Sequence, residues 1–218
     1  MACQIQIALD VADFKMALDL AQRVAPWVGL LEAGTPLIKS VGLGIVRQLR
    51  MDYPDKLIIA DMKSTDVGAF ESELAFSAGA DFTTTLGLTP LATIASVQAE
   101  ADRSGRRCMV DLTGVEDVLA RSRQLRDIGV RHVLVHRSID EELSKGAAWT
   151  AETLDTVRRL CDMGLDVSVA GGLGLHNLPL FGGVPLYAVV VGRAVTAHPD
   201  PAAAAQAVNH IVAEMWSS

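Results

Sequence analysis

Short apolar runs rich in β-branched residues alternate along the chain with amphipathic stretches of ten or more residues. Ile5 to Leu9 reads as a strand that ends at Asp10. Phe14, Ala17, Leu18 and Ala21 then recur at i, i+3, i+4 and i+7, one face of a helix. Val28 to Leu31, ending at Glu32, and Leu57 to Ala60, ending at Asp61, are the next two strands. Five more follow: Phe82 to Leu86, Cys108 to Leu112, His132 to Val135 ending at His136, Val167 to Val169, and Ala188 to Val191. Between them the spacing predicts helices over roughly 43–51, 68–78, 90–101, 118–128 and 151–163, and the chain closes with an Ala-rich helix over 201–215. Asn177-Leu178-Pro179 interrupts the piece between the last two strands, so any helix there is short.

Eight strands alternating with helices through short connections favour parallel pairing. An open doubly wound sheet usually has fewer strands. The expected fold class is therefore α/β, a (β/α)8 barrel, with residues 1–218 as a single domain.

Composition adds bounds. Half of the 218 residues are hydrophobic and 21% are charged, a globular balance that excludes long disorder. The net charge is −7, and the 19 basic residues form no block, which argues against nucleic acid as a partner. An anionic small molecule stays open, because one or two focused cations suffice. Cys3, Cys108 and Cys161 lack metal-site spacing and fit a reducing compartment. No apolar run reaches the roughly 18 residues of a membrane span, and the first residues carry no export-type signal. A cytoplasmic protein with no membrane partner is the expectation.

In a barrel, chemistry sits at the C-terminal ends of the strands. Asp10, Glu32, Asp61, Lys63, Asp66, Asp111 and His136 break the apolar runs there, followed by Gly171-Gly172 and Gly192-Arg193. One Asp after a strand is usually a turn former or helix cap. A set of acids, a Lys and a His converging on one mouth is not explained by capping. Residues 61–66 read D-x-K-x-x-D, and alternation sends Asp61 and Lys63 to the same side. A Lys flanked by carboxylates stays protonated and suits a developing enolate oxygen. Glu32 and Asp61 end neighbouring strands, a donor pair that suits Mg²⁺ with its retained waters. The glycines and Arg193 fall in the loops after strands seven and eight, the usual phosphate site of such barrels.

These residues carry a resemblance. The D-x-K-x-x-D signature resembles that of the orotidine 5′-phosphate decarboxylase superfamily. IALD (7–10), LEAGTPLI (31–38), ADMKSTDVGAF (60–70), VHRS (135–138), AGGL (170–173) and VGRA (191–194) are similar to its group of 3-keto-L-gulonate 6-phosphate decarboxylases and 3-hexulose-6-phosphate synthases. The resemblance implies a Mg²⁺-dependent lyase that stabilises a cis-enediolate of a phosphorylated ketose. It implies Glu32 and Asp61 as metal ligands and Lys63 as the cation beside the enediolate. Asp66 would be donated across a homodimer interface, giving a shared active site. Asp10 and His136 would contact substrate and move protons, and Gly171, Gly172, Gly192 and Arg193 would hold phosphate.

HRS (136–138), AAW (147–149), LPLFGGVP (178–185) and Gly192-Arg193 lean to decarboxylation of 3-keto-L-gulonate 6-phosphate to L-xylulose 5-phosphate, the expected activity. DMKSTDVGAFESELAFSAGAD (61–81) and VDLTGVED (110–117) lean to the alternative, aldol addition of formaldehyde to ribulose 5-phosphate. Decarboxylases of the group usually carry Arg where this chain has Ile139 and Thr where it has Ala170. A pentose-phosphate epimerase would need a multi-histidine metal site, and only His136 stands at a strand end. Orotidine decarboxylation would leave Glu32 without a task. A non-catalytic sugar-phosphate sensor would have no need for the Asp61, Lys63 and Asp66 set.

Overall fold

Strands buried on both faces need continuous apolar runs, and each run read from the sequence becomes one stave of a closed barrel. The computed structural model describes residues 3–140 and 149–216. Ala147 and Ala148 of the AAW run lie outside the described residues. The strands are β1 (Gln4–Leu9), β2 (Leu30–Ala33), β3 (Leu57–Ser64), β4 (Phe82–Leu86), β5 (Arg107–Asp111), β6 (His132–His136), β7 (Asp166–Ala170) and β8 (Ala188–Val191). They run parallel in sequence order, and β1 pairs with β8, Gln4 opposite Ala188 and Ile7 opposite Val191, to close the ring. This is a single-domain (β/α)8 TIM barrel.

The described helices are α1 (Phe14–Val24), α2 (Thr35–Val41), α3 (Gly44–Asp52), α4 (Gly68–Ser77), α5 (Leu91–Ser104), α6 (Val118–Asp127), α7 (Ala151–Asp162), α8 (Arg193–Thr196) and α9 (Pro201–Met215). Several begin at side chains that satisfy free N–H groups. Asp13 accepts from Met16 N at 2.7 Å, Asp117 from Ala120 N at 2.8 Å and Thr150 from Thr153 N at 3.2 Å. Asp200 caps α9, with Pro201 at the first helical position, where its missing N–H costs nothing.

Two helices go beyond the sequence expectation. α2 starts at Gly34-Thr35-Pro36 and stops at Gly42, and its seven residues are too few to display a helical period. α8, at Arg193–Thr196, is a single turn. The segment between β7 and β8 holds only a 3-10 turn at Leu178–Phe181, as Pro179 requires. β2 begins two residues later than read and runs through Glu32, and β3 continues past Asp61 to Ser64.

Most of the core lies between the barrel and its helices, where Ile7, Leu31, Ile58, Val110 and Val133 meet Leu49, Ile94 and Leu160. Each fully buried Leu or Ile contributes roughly 1.5–3 kcal/mol. A second cluster fills the barrel interior, with Leu30, Ile59, Phe82, Met109, Leu134 and Val190. The interior is therefore plugged by side chains rather than open as a channel.

The N-terminal end is closed by rings. His132 packs edge-on against Phe82, 5.0 Å between centroids, and Tyr187, 4.8 Å. The Arg107 guanidinium lies 5.1 Å over the Phe82 ring. Burial pushes the His132 imidazole down to about 4, with Arg107 and Arg131 assisting and Asp166 opposing. His132 is thus neutral in the folded protein but takes a proton in the unfolded chain below its ordinary 6.5. The stability it supports is present above that value and drains as pH falls toward 4. Between pH 7 and 5 the unfolding free energy of the wild type is expected to fall about 2 kcal/mol further than that of His132→Gln. Denaturant titrations at both pH values check this, and parallel losses in the two proteins would refute it.

Candidate active site

The opposite end of the barrel is charged. Asp61 is 5% exposed and Asp111 is fully buried, an expensive placement for two carboxylates unless they are paired. Their shared partner is Lys63. Its Nζ stands 2.7 Å from Asp111 Oδ2, 3.1 Å from Asp61 Oδ1 and 3.0 Å from Asp61 Oδ2. Burial would lower the Lys63 pKa, but Asp61 and Asp111 outweigh it, and the ammonium is held above its ordinary range. Burial alone would raise Asp111. Hydrogen bonding to His136 and the charge of Lys63 reverse this and hold it ionised well below the usual carboxylate range.

Asp111 accepts from four groups. Besides Lys63 these are His136 Nδ1 at 3.0 Å, Thr113 N at 2.9 Å and Thr113 Oγ1 at 2.6 Å. An ionised carboxylate only accepts, so Nδ1 of His136 carries the hydrogen and Nε2 is the nitrogen left for chemistry. As a strand-end Asp, Asp111 carries no sign in the sequence that it joins the Lys to the His. Its D-x-T pattern (111–113), a side chain bonding the N–H two residues on, is the local signal of a fixed carboxylate.

Glu32 lies beside this group, 7% exposed, with Gln6 of β1 donating to its carboxylate. Burial raises its pKa well above the ordinary value, and the nearby charges of Asp61 and Asp10 raise it further. Asp10 leans over Gly34, whose absent side chain leaves the room: a Cβ there would collide with Asp10 Oδ1. Asp10 is open at the rim yet ringed by protein. This crowding, with Asp61, raises its pKa, while Lys63, His136 and Arg193 pull it back. Asp10, Glu32, Asp61, Lys63 and His136 are thus one electrostatic unit, with Arg193 at its edge.

Among the described residues no three His, Cys, Asp or Glu side chains are gathered as a metal cage. A hard cation that keeps its waters needs only one or two carboxylates. Glu32 and Asp61 meet that need: they are oxygen donors on adjacent strands, and their mutual repulsion, which raises Glu32, is what a cation between them would relieve. The residues present therefore fit Mg²⁺.

Gly171 and Gly172 follow β7 with φ of 102° and 62°, and a Cβ on Gly171 would collide with the Arg137 carbonyl oxygen. The loop is pinned by Trp149 Nε1, which donates to Gly171 O at 3.0 Å, and by Asn177 Nδ2, which donates to Gly172 O at 2.7 Å. Neither anchor was legible in sequence. Gly192 and exposed Arg193 open α8, and the Gly192 Cβ position is 3.8 Å from Asp10 Oδ2, so the two loops share the mouth. Asp66 stands apart. It is exposed, accepts from the N–H of Val67 at 2.8 Å, and makes no hydrogen bond or ion pair with Asp61, Lys63 or Asp111 of its own chain.

A parallel barrel with paired acids, a Lys and a His at its C-terminal mouth defines a TIM-barrel enzyme. Residues 3–208 match the model of the Orotidine 5′-phosphate decarboxylase / HUMPS family, and the chain belongs to that family. A 3-keto-L-gulonate-6-phosphate decarboxylase of Escherichia coli is 34% identical over 212 residues, 97% of each chain. A 3-hexulose-6-phosphate synthase of Mycobacterium gastri is also 34% identical, over 210 residues, 96% of this chain and 100% of that one. Among solved structures, a ligand complex of KGPDC from Streptococcus mutans superposes with a TM-score of 0.95 at 32% identity, covering 99% of this chain and 100% of that one. Relatives of both names are enzymes, and the lyase class fits both.

Asp111→Asn keeps the shape of the carboxylate and removes its charge. It is expected to lower kcat on the order of 10²-fold while far-ultraviolet dichroism is unchanged. Steady-state assays of the purified variant check this. A kcat close to that of the wild type would remove Asp111 from the machinery.

Proposed function

We propose that this protein is a Mg²⁺-dependent carboxy-lyase that converts 3-keto-L-gulonate 6-phosphate to L-xylulose 5-phosphate and CO₂ through a cis-enediolate. The observation that carries the reading is Lys63, a half-buried ammonium fixed between the buried carboxylates of Asp61 and Asp111. Fixed positive charge in a desolvated site is what a developing enediolate needs.

Arg193 and the N–H groups around Gly171, Gly172 and Gly192 take the substrate phosphate. Asp10 accepts from a sugar hydroxyl and orients the chain of carbons. Glu32 and Asp61 would hold Mg²⁺, which would supply further positive charge to the substrate. As the C–C bond to the carboxylate breaks, its electrons pass into the enediolate, whose oxygen charge faces Lys63 Nζ. CO₂ departs. His136, oriented by Asp111 through Nδ1, then passes a proton, taken up from solvent at Nε2, to the carbon that lost CO₂. The run at 178–185 and Gly192-Arg193 support decarboxylation over its alternative by their likeness to that group.

A second reading, formaldehyde addition to ribulose 5-phosphate, is favoured by one observation. With Nδ1–H bound to Asp111, Nε2 of His136 is a ready base, and only this reaction must first remove a proton from the substrate. Ala170, opposite His136 in the β6–β7 register, and Ile139 add no polar group there.

Two assays run in parallel separate these readings: CO₂ release from 3-keto-L-gulonate 6-phosphate, and formaldehyde consumption with ribulose 5-phosphate. Each is measured with Mg²⁺ and with EDTA. The expected result is Mg²⁺-dependent CO₂ release with the larger kcat/KM. Dominant formaldehyde fixation establishes the second reading, and full activity in EDTA removes the metal from both.

The same reading makes the protein a homodimer in the cytoplasm. Asp66 is presented outward, and beside it Val67, Phe70 and Leu74 stand exposed at i, i+3 and i+7 along the start of α4, with Leu88 exposed in the next loop of the same barrel end. Such apolar exposure next to an unused carboxylate suits a second copy that receives Asp66 at its mouth. Asp66→Ala and Lys63→Ala homodimers are each expected to be inactive. Mixed under subunit exchange, they should regain about half of the activity per mixed dimer, or about a quarter across a statistical mixture, because one of the two sites in a mixed dimer keeps both residues. No recovery despite exchange verified by mass spectrometry would exclude a shared site.

A further inference from the structure

Strands β3 and β4 do not stay in step. Ala60 pairs with Thr83, but the next paired residues are Ser64 and Thr85. Asp61, Met62 and Lys63 therefore stand opposite the single residue Thr84. This is a wide irregularity of the kind that re-aims side chains at active sites. It leaves the Lys63 N–H without a ladder carbonyl, and it forces Lys63 to a left-handed φ of 46°, a conformation that costs a non-glycine residue of order 1–3 kcal/mol.

Thr84 occupies the gap. Its Oγ1 accepts from the Lys63 backbone N–H at 2.9 Å and donates to Asp61 Oδ1 at 2.6 Å. Thr84 is 2% exposed, so water cannot replace either bond. A hydroxyl is the one small side chain that gives and receives at once. The other Asp61 oxygen is taken by Thr35 Oγ1 at 2.6 Å. Thr35 touches Asp61 but not the Lys63 backbone. Thr84 is thus the link between the two ends of the D-x-K triplet: it satisfies the strained N–H of one and orients the carboxylate of the other.

We infer that Thr84 is a positioning residue, whose hydroxyl holds Lys63 in its left-handed conformation and so aims Nζ at Asp111 and at the reacting atoms. Among the described residues it hydrogen-bonds neither to the phosphate loops nor to His136. Its loss should therefore reduce the chemical step and leave binding of the phosphate ester largely intact. The kinetic part of this inference rests on the ketose-phosphate lyase reading, and the geometric part does not.

The test compares Thr84→Val, nearly isosteric and without the hydroxyl, with Thr84→Ser, which retains it. Thr84→Ala, which adds no bulk, carries the same expectation as the Val variant if that protein does not fold. Thr84→Val is expected to lose on the order of 10²-fold in kcat with KM changed less than about threefold, and Thr84→Ser to recover most of that loss. In a crystal structure of Thr84→Val, Lys63 should leave the left-handed region and its contact with Asp111 should break. Retention of Lys63 φ near 46° and of that contact would overturn the inference, as would a Val variant with wild-type kcat. Should the wild type turn over neither ketose phosphate, the lyase reading fails alone, and the crystal structure still decides the role of Thr84.

Discussion

The site depends on one ion pair, that of the Lys63 ammonium with the fully buried carboxylate of Asp111. The Asp111 charge is not tolerable in that place without partners, and Lys63, at 2.7 Å, is the one cation among those that hold it. Because Asp111 also holds His136, the pair fixes the acid–base group as well as the cation. Asp61 then shares the same ammonium, and its charge raises Glu32. The state of each mouth residue thus follows from the next, and the whole set is anchored where β3 and β5 meet through Lys63.

The two ends of the barrel solve the same burial problem by opposite means. At the floor, rings and a neutral imidazole fill the space, and the buried His132 among them is kept from charging. At the mouth, charges are kept by pairing. Between them lie the apolar side chains of Leu30, Ile59 and Met109. The fold therefore concentrates its electrostatic strain at the end where loops can vary without disturbing the staves.

The staves were legible because parallel strands covered by helices on one side and by the barrel interior on the other must be apolar throughout. Phe82–Leu86 and Ala188–Val191 coincide with their runs for that reason. Asp10, Glu32, Asp61, Lys63 and His136 were legible as polar breaks at strand ends. The out-of-step triplet at 61–63 was not, since alternation has a period of two and carries no sign of extra residues. The contacts of Asp111 span 48 residues to Lys63 and 25 to His136, a pairing no local pattern encodes. Thr84 and Gln6 were hidden for a simpler reason. One is a β-former in a run of threonines and the other a lone amide in a strand, and neither type announces a partner.

Pairing of β1 with β8 has a consequence for how the chain reaches its form. β1 meets its neighbour β2 on one side after a short connection, but on the other it waits for Ala188–Val191 to be made. Until then both rims of the growing sheet are open edges, which other chains could extend. α9 then packs on β1 and on the turn before β2, where Asn209 Nδ2 donates to Trp27 O at 2.8 Å. The C-terminal segment from β8 onward thus acts as the clasp of the ring, and a polypeptide halted before it would expose two unpaired strands rather than a smaller working barrel.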